Sequence, residues 1–154
     1  MLNGSTKTKT IVGIDYSLNS PAICISTNGG TAFSDCYFYY LTSKKKHIGK
    51  MLENVIGYEH KECKSPIERF TNLSSWVLHI LDTLHKKQKN KHIFIEGYSY
   101  GSKGQAVFQI AENGGILKYR LQKRFICKTI VPSVVKKLAT GKGNADKQKM
   151  YEAF

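Results

Sequence analysis

The stretch TIVGIDYS, residues 10–17, places an aspartate at the end of a short apolar run. β-Branched residues dominate this run, and the polar sequence SLNSP follows it, which indicates a buried strand that ends in a loop. Burying a carboxylate costs free energy unless the charge is paired or binds a metal. Asp15, at the end of this strand, is therefore a candidate functional residue.

The same arrangement returns later in the chain, where the apolar run HIFI ends on Glu96. Two buried strands that each carry an acid at the carboxyl end predict one shared site. Carboxylate oxygens are the ligands that Mg²⁺ prefers, and two such ions activate water and stabilise the leaving oxygen in phosphodiester cleavage. Asp15 and Glu96 are thus predicted to bind divalent metal and to cut nucleic acid.

The charge balance supports a polyanionic partner. The chain has 24 Lys and Arg residues against 11 Asp and Glu residues, a formal net charge of +13. An excess of this size favours nucleic acid or an acidic surface, although charge alone does not choose between DNA, RNA and membrane lipid. No apolar run approaches the ~18 residues of a membrane span, so we expect a cytoplasmic protein with no membrane partner.

The order of elements predicts an α/β fold. Residues 1–9 are expected to be a flexible leader and residues 10–154 one domain, with strands near 10–16, 21–26 and 31–42 forming an antiparallel meander. The lysine-rich segment 43–64 is expected to be a flexible basic loop. Ser65 and Pro66 start a helix, and strands at 92–97 and 125–131 then alternate with helices at 105–123, at 132–138 and at the end of the chain. This order predicts a mixed five-stranded sheet flanked by helices.

Two adjacent glycines lie in the second predicted helix. Gly114 and Gly115 each lower helix stability by roughly 1 kcal/mol. We expect close packing against the sheet to be the reason for them.

Three segments resemble the RuvC-like Holliday junction resolvases of the RNase H-like superfamily. GIDYSLNSPAICI is similar to their first motif, a strand with its Asp, a small polar loop and a second strand. IFIEGYSYGSKGQAVFQIAENGGILKYRL is similar to the strand with its Glu that leads into a glycine-containing helix. VPSVVKKLATGKGNADKQKM is similar to the third segment, a short helix followed by a GxGxAxK loop. The likeness covers residues 10–154 and is closest to bacteriophage-type members.

The resemblance implies an RNase H-like fold, two Mg²⁺ or Mn²⁺ ions, and hydrolysis of DNA at four-way junctions by a homodimer. Asp15 and Glu96 then match the metal-binding catalytic acids, and Lys147 matches a basic residue near the scissile phosphate. An aromatic residue after the Glu is associated with junction binding in the family, but the matching position here is Ser99. The candidate nucleic-acid contacts are Lys44, Lys45, Lys46, Tyr98, Tyr100, Lys103, Lys142 and Lys147.

The sequence departs from the family pattern at its end. The family places one or two further carboxylates on a last helix past the GxGxAxK loop, and this sequence ends before that point. Asp146 precedes the lysine and is expected to cap a helix, while Glu152 also comes too early. We therefore expect a truncated chain, a site completed by another chain, or an inactive site.

Two other functions compete with the nuclease. A non-catalytic RNase H-like module would hold branched nucleic acid without cutting it. An actin-like sugar kinase also begins with a strand that ends in Asp, but it needs a Gly/Thr-rich phosphate loop that residues 16–19 do not supply.

Overall fold

The computed structural model describes residues 9–88, 90–98 and 104–153. Of the residues discussed above, the predicted leader up to residue 8, Ser99, Tyr100 and Lys103 lie outside these ranges. The described strands are β1 (Thr10–Asp15), β2 (Ala22–Ser26), β3 (Cys36–Thr42), β4 (Gly49–Leu52), β5 (Val55–Glu59), β6 (Lys91–Glu96) and β7 (Ile126–Ile130). The described helices are α1 (Pro66–His79), α2 (Gln105–Gln122), α3 (Pro132–Thr140) and α4 (Lys147–Glu152).

These strands form one mixed sheet. β1 pairs antiparallel with β2, and β2 with β3, which confirms the predicted meander. On its other side β1 pairs parallel with β6, and β6 pairs parallel with β7. Helices alternate with these later strands, as predicted. The order across the sheet is β4-β5-β3-β2-β1-β6-β7.

The predicted count of five strands is wrong, because the described part of the chain has a seven-stranded sheet. The segment expected to be a flexible basic loop contains a one-turn 3₁₀-helix at Lys45–His47 and the hairpin of β4 and β5. β5 adds to the edge of the sheet parallel to β3. A Cβ at Gly57 would lie 1.9 Å from the carbonyl oxygen of His47, so only glycine allows this close approach.

The hydrophobic core lies on one face of the sheet. Alternate residues of the central strands point towards α1 and α2, following the two-residue period of a strand. The fully or nearly fully buried members of this cluster are Val12, Ile14, Ile23, Ile25, Tyr39, Ile93 and Ile95 from the sheet and Val77, Ile80, Leu81, Leu117 and Leu121 from the helical side. Each such side chain contributes about 1.5–3 kcal/mol on burial, so this face fixes which residues point the other way.

Helix α1 begins as the sequence predicts. The Ser65 hydroxyl oxygen accepts a hydrogen bond from the Glu68 N–H (3.2 Å), and Pro66 occupies the first turn. The Glu68 carboxylate accepts from the Lys64 N–H at 2.7 Å, one residue earlier than a capping box requires. The α-helix ends at His79 and continues as a wider π-turn over Ile80–Leu84.

None of the helices in the described ranges combines the length and the apolar character that crossing a bilayer requires.

Candidate active site

The two predicted acids end neighbouring strands. β1 and β6 are parallel, and Ile14 lies opposite Ile95, so the residues that follow them, Asp15 and Glu96, lie side by side. Adjacent strands are separated by about 4.8 Å. Each acid follows a core-facing isoleucine, so both side chains project on the face opposite the main core.

Burial and mutual repulsion act on this pair. Burial raises the pKa of Glu96 above its ordinary value, and the negative charge of Asp15 raises it further. Burial also raises the pKa of Asp15, even though this side chain reaches solvent at the strand end. A like-charged carboxylate pair of this kind favours a bound cation or a bound proton.

Two lysines oppose these shifts. The charge of Lys147 lowers the pKa of Asp15, and the charge of Lys136 lowers that of Glu96. Lys147 is the first residue of α4 and Lys136 lies on α3, so both cations come from elements that follow β7. Cations beside the acids lower the cost of ionising them and also attract a phosphate.

The GKGNADK loop returns the chain to the carboxylates. Gly141 ends α3 with a φ of 77°, a conformation that favours glycine. A Cβ at Gly143 would lie 3.1 Å from the carbonyl oxygen of Ser133, so the loop folds back onto the first turn of α3. Ala145 is buried, and the Asp146 carboxylate accepts from the Lys149 N–H at 2.9 Å. This sequence of contacts starts α4 with Lys147 near Asp15.

Tyr98 and helix α2 pack against each other beside the two acids. The Tyr98 hydroxyl donates to the carbonyl oxygen of Ala111 (3.3 Å), and the Lys118 Nζ lies 4.6 Å from the centre of the Tyr98 ring. A Cβ at Gly114 would lie 2.6 Å from the Tyr98 hydroxyl, so this glycine is closely packed as expected, although against Tyr98, just past the end of β6, and not against the strand itself. The same expectation is wrong for Gly115, which has open space where a Cβ would be.

A cavity of about 470 Å³ lies between Tyr98, α2 and the two acids. We call it the carboxylate cavity. Its lining includes Asp15, Glu96, Leu18, Asn19, Tyr98 and Lys118. Tyr98, 45% exposed, thus lies beside the acids, as a contact with nucleic acid would require.

The loop after Asp15 is fastened from the side of α1. Arg69 Nη2 donates to the carbonyl oxygen of Leu18 (2.8 Å) and to the side-chain oxygen of Asn19 (2.7 Å). His60 Nε2 donates to the carbonyl oxygen of Asn19 at 2.7 Å. These bonds hold the loop that forms one side of the carboxylate cavity.

The other predicted DNA contacts lie on the surface. Asp15, Ala22 and Tyr40 are in one row of paired residues across the sheet. Lys44, Lys45 and Lys46 follow the end of β3, so this exposed run is at the same end of the sheet as the acids. Lys142 is exposed in the loop between α3 and α4.

The late acids do not join the pair. Asp146 caps α4, as predicted, and its bond to the Lys149 N–H lowers its pKa. Glu152 accepts from Gln148 Nε2 at 2.9 Å on the exposed surface of α4. Among the described residues there is no group of three or more His, Cys, Asp or Glu side chains suited to a metal.

Asp15 and Glu96 fit a single hard cation. Mg²⁺ is commonly bound through one or two carboxylates while it keeps several waters. The described residues therefore supply a donor set for one ion, and the second ion implied by the family resemblance needs further oxygen ligands.

Sequence reasoning missed Arg69, Lys118 and Lys136. Each lies on a helix, in a sequence with no motif that distinguishes it from the other 21 Lys and Arg residues. Their position beside the site comes from how α1, α2 and α3 pack on the sheet, which the local sequence does not encode.

Comparison with known proteins gives a structural match only. No protein-family model matches the sequence, and no curated protein matches it. The structure of RuvC from Thermus thermophilus superimposes with a TM-score of 0.59 at 12% identity, covering 94% of this chain and 76% of that one. T. thermophilus RuvC in complex with a Holliday junction substrate gives 0.59 at 11% identity with the same coverage.

The chain therefore has a RuvC-like, RNase H-like fold. Identity of this level establishes the fold alone, so activity has to be argued from the site.

Proposed function

We propose that this protein is a metal-dependent endonuclease that hydrolyses phosphodiester bonds in four-way (Holliday) or other branched DNA junctions, for recombination or repair. The observation that carries the proposal is the placement of Asp15 and Glu96 at adjacent ends of parallel strands, with the charge of Lys147 acting on Asp15. The fold supports the same conclusion, because one of the matched structures is a RuvC bound to a junction. The proposed setting is the cytoplasm, that of the host if a bacteriophage encodes the chain.

The proposed roles follow from position. Asp15 and Glu96 would hold Mg²⁺ or Mn²⁺, and the bound ion would supply an activated water and stabilise the leaving oxygen. Lys147 and Lys136 would attract the scissile phosphate and hold it against the acids. Arg69 would keep the loop after Asp15 in place, acting as a positioning residue.

The DNA backbone would run along the lysines that lie near the two acids. The exposed run Lys44–Lys46 is at the acidic end of the sheet, and Lys142 and Lys147 come from the loop and the helix that follow α3. Each phosphate neutralised by Lys or Arg releases condensed counterions, so log K should fall linearly with log salt concentration. Tyr98 is placed to stack on a base, although Lys118 already covers one side of its ring.

The test is cleavage of a labelled four-way junction, with Mg²⁺ and then Mn²⁺. We expect cleavage by the wild type and a loss of at least two orders of magnitude in Asp15→Asn and Glu96→Gln. Glu53→Gln is the matched control, because Glu53 is an exposed acid that pairs with Lys50 (2.8 Å) at the β4–β5 turn, away from the site. Cleavage that survives in both site variants would overturn the proposal.

A non-catalytic junction-binding module is the second candidate. This candidate is favoured by the small number of metal ligands, because the described residues bring two carboxylates together, enough for one ion. Tight binding of the junction without cleavage under either metal would establish this alternative.

A homodimer is also proposed, since a four-way junction presents two symmetric sites. Helix α2 is one candidate interface, because Phe108 and Tyr119 are 70% and 63% exposed. The aromatic segment 33–40 is the other candidate. Sedimentation of the wild type and of Phe108→Ser distinguishes them, since only an α2 interface should yield monomers in the variant.

A further inference from the structure

A second cavity lies beside the residues that bond to the loop after Asp15. It has a volume of about 730 Å³ and is formed by the end of β5, the residues after it, and α1. We call it the aromatic cavity. Its lining includes Tyr58, His60, Lys61, Arg69, Trp76 and His79. None of these residues belongs to the carboxylate pair or its lysines.

The loop connects the aromatic cavity to the carboxylate cavity. Arg69 lines the aromatic cavity and donates to Leu18 and Asn19, which line the carboxylate cavity. His60 also lines the aromatic cavity and donates to Asn19. These bonds tie the lining of the aromatic cavity to the loop that lines the carboxylate cavity. β5 is three strands from β1, a lateral separation of about 14 Å, which a nucleic-acid strand crosses in a few nucleotides.

The lining has the chemistry of a base-binding site. The rings of Tyr58 and Trp76 meet edge to face, with centroids 6.3 Å apart, and both residues are half-buried. Lys61 and Arg69 place positive charge beside the rings, with Glu59 as the acid in the lining. Aromatic faces in a cationic groove bind unpaired bases with little sequence preference, and the volume is in the range of small-ligand pockets.

We propose that the aromatic cavity takes an unpaired nucleobase of the DNA strand whose phosphate reaches the acids. This inference rests on the proposed function, since it assumes a branched substrate with an unpaired nucleotide near the cut. The base stacks on the face of Trp76 and meets Tyr58 at its edge, and Lys61 contacts an adjoining phosphate. Binding of this base then fixes the position of the DNA strand relative to the loop after Asp15.

Trp76 reports on the cavity directly, because it is the one tryptophan in the sequence. The experiment titrates the wild-type chain, in EDTA, with a four-way junction and with a fully paired duplex, and records tryptophan fluorescence. The junction should quench the emission and the duplex should not. The titration is repeated with junctions carrying a single abasic residue at each position near the branch point. One position should abolish the quenching and weaken binding roughly tenfold.

A variant tests the same contact from the protein side. Tyr58→Leu keeps an apolar side chain but removes the aromatic face, so junction binding should weaken roughly tenfold while duplex binding stays the same. Duplex binding by the same variant is the internal control, because a variant that fails to fold would lose it as well. The abasic series uses an unaltered protein, so a folding defect in Tyr58→Leu does not remove the test.

The outcomes separate this inference from the nuclease proposal. Junction cleavage by the wild type in Mg²⁺ without any tryptophan response overturns the base-binding site alone. A tryptophan response that one abasic position abolishes, without cleavage in either metal, supports the site while the nuclease proposal fails. Quenching that no abasic position alters, or that the duplex reproduces, also overturns the base-binding site.

Discussion

Arg69 on α1 reaches the side chain of Asn19, 2.7 Å away, and the carbonyl oxygen of Leu18, 2.8 Å away, in the loop that follows Asp15. One guanidinium nitrogen makes both contacts. The loop that carries the chain away from a proposed catalytic acid is thus fastened to a helix on the core side of the sheet. Its conformation depends on a residue that lies 50 positions from Asn19 in the sequence.

Arg69→Lys should therefore lower cleavage more than it lowers stability. A lysine side chain ends one bond short of the Nη2 position, so we expect the loss of at least one of the two hydrogen bonds, about 1 kcal/mol of stability, and roughly tenfold slower cleavage. Chemical unfolding and junction cleavage measure the two effects. Arg124→Lys is the control, because Arg124 makes two bonds of 2.7 Å to Asp82 away from the loop. Equal loss of cleavage in both variants would contradict the positioning role.

Neighbouring glycines on α2 give a matched pair. Gly115→Ala should stabilise the protein by about 1 kcal/mol, because alanine favours the helix and its Cβ meets open space. Gly114→Ala should be less stable than Gly115→Ala by about 1 kcal/mol, because its Cβ would meet the Tyr98 hydroxyl at 2.6 Å and the ring would have to give up its bond to Ala111 to make room.

Thermal unfolding measures the difference between the two alanine variants. If Tyr98 moves to make room, it also loses its bond to Ala111, and junction binding should weaken in Gly114→Ala alone. Two alanine variants of equal stability would show that Tyr98 does not pack on α2 as described.

The sequence predicts the position of the acids because the evidence for them is local. An apolar run that stops at a carboxylate marks both the strand and its end, and parallel strands bring like ends together. Asp15 and Glu96 are therefore placed correctly, and so is the cap that Ser65 provides for α1. The capping role of Asp146 is equally local, since it depends on the N–H group three residues later.

The β4–β5 hairpin was missed because its evidence is not local. Its two-residue connection is Glu53-Asn54, which lacks the glycine that marks most tight hairpins. Asn54 instead donates to the carbonyl oxygens of Phe33 and Cys36, bonds that exist only in the folded sheet. The aromatic cavity depends on β5, so it was missed for the same reason.

The acids should make stability depend on pH. Below their ordinary pKa values of 3.8 and 4.5, Asp15 and Glu96 are protonated in the folded and the unfolded chain alike. Their folded pKa values are raised, so as pH rises the unfolded chain loses these protons first and stability falls. Without metal, Asp15→Asn should therefore be more stable than the wild type at neutral pH, and this gain should vanish as pH falls below 3.8.

Denaturant unfolding across this pH range, in EDTA, tests whether Asp15→Asn is more stable than the wild type and whether this difference shrinks as pH falls. Glu112→Gln removes one exposed negative charge from α2 and is the control for net charge. A gain of stability in Asp15→Asn that grows towards acid pH would contradict the raised pKa.

Metal binding should stabilise the folded chain through the same acid. Mg²⁺ at a hundred times its dissociation constant should stabilise the wild type by about 2.7 kcal/mol and leave Asp15→Asn unchanged.

Lys147 and Lys149 lie on the same helix but have different partners. The charge of Lys147 acts on Asp15, while the Lys149 Nζ lies 3.8 Å from the Asp146 carboxylate. Lys147→Ala should reduce cleavage by about 10²–10³-fold if its charge stabilises the reacting phosphate. Because Lys147 lowers the pKa of Asp15, its removal should also move the acidic limb of the pH–rate profile to higher pH. Lys149→Ala is the control, and its cleavage rate should stay within a few-fold of the wild type with an unshifted pH–rate profile. A comparable loss of cleavage in both variants would show that Lys147 has no specific role at the site.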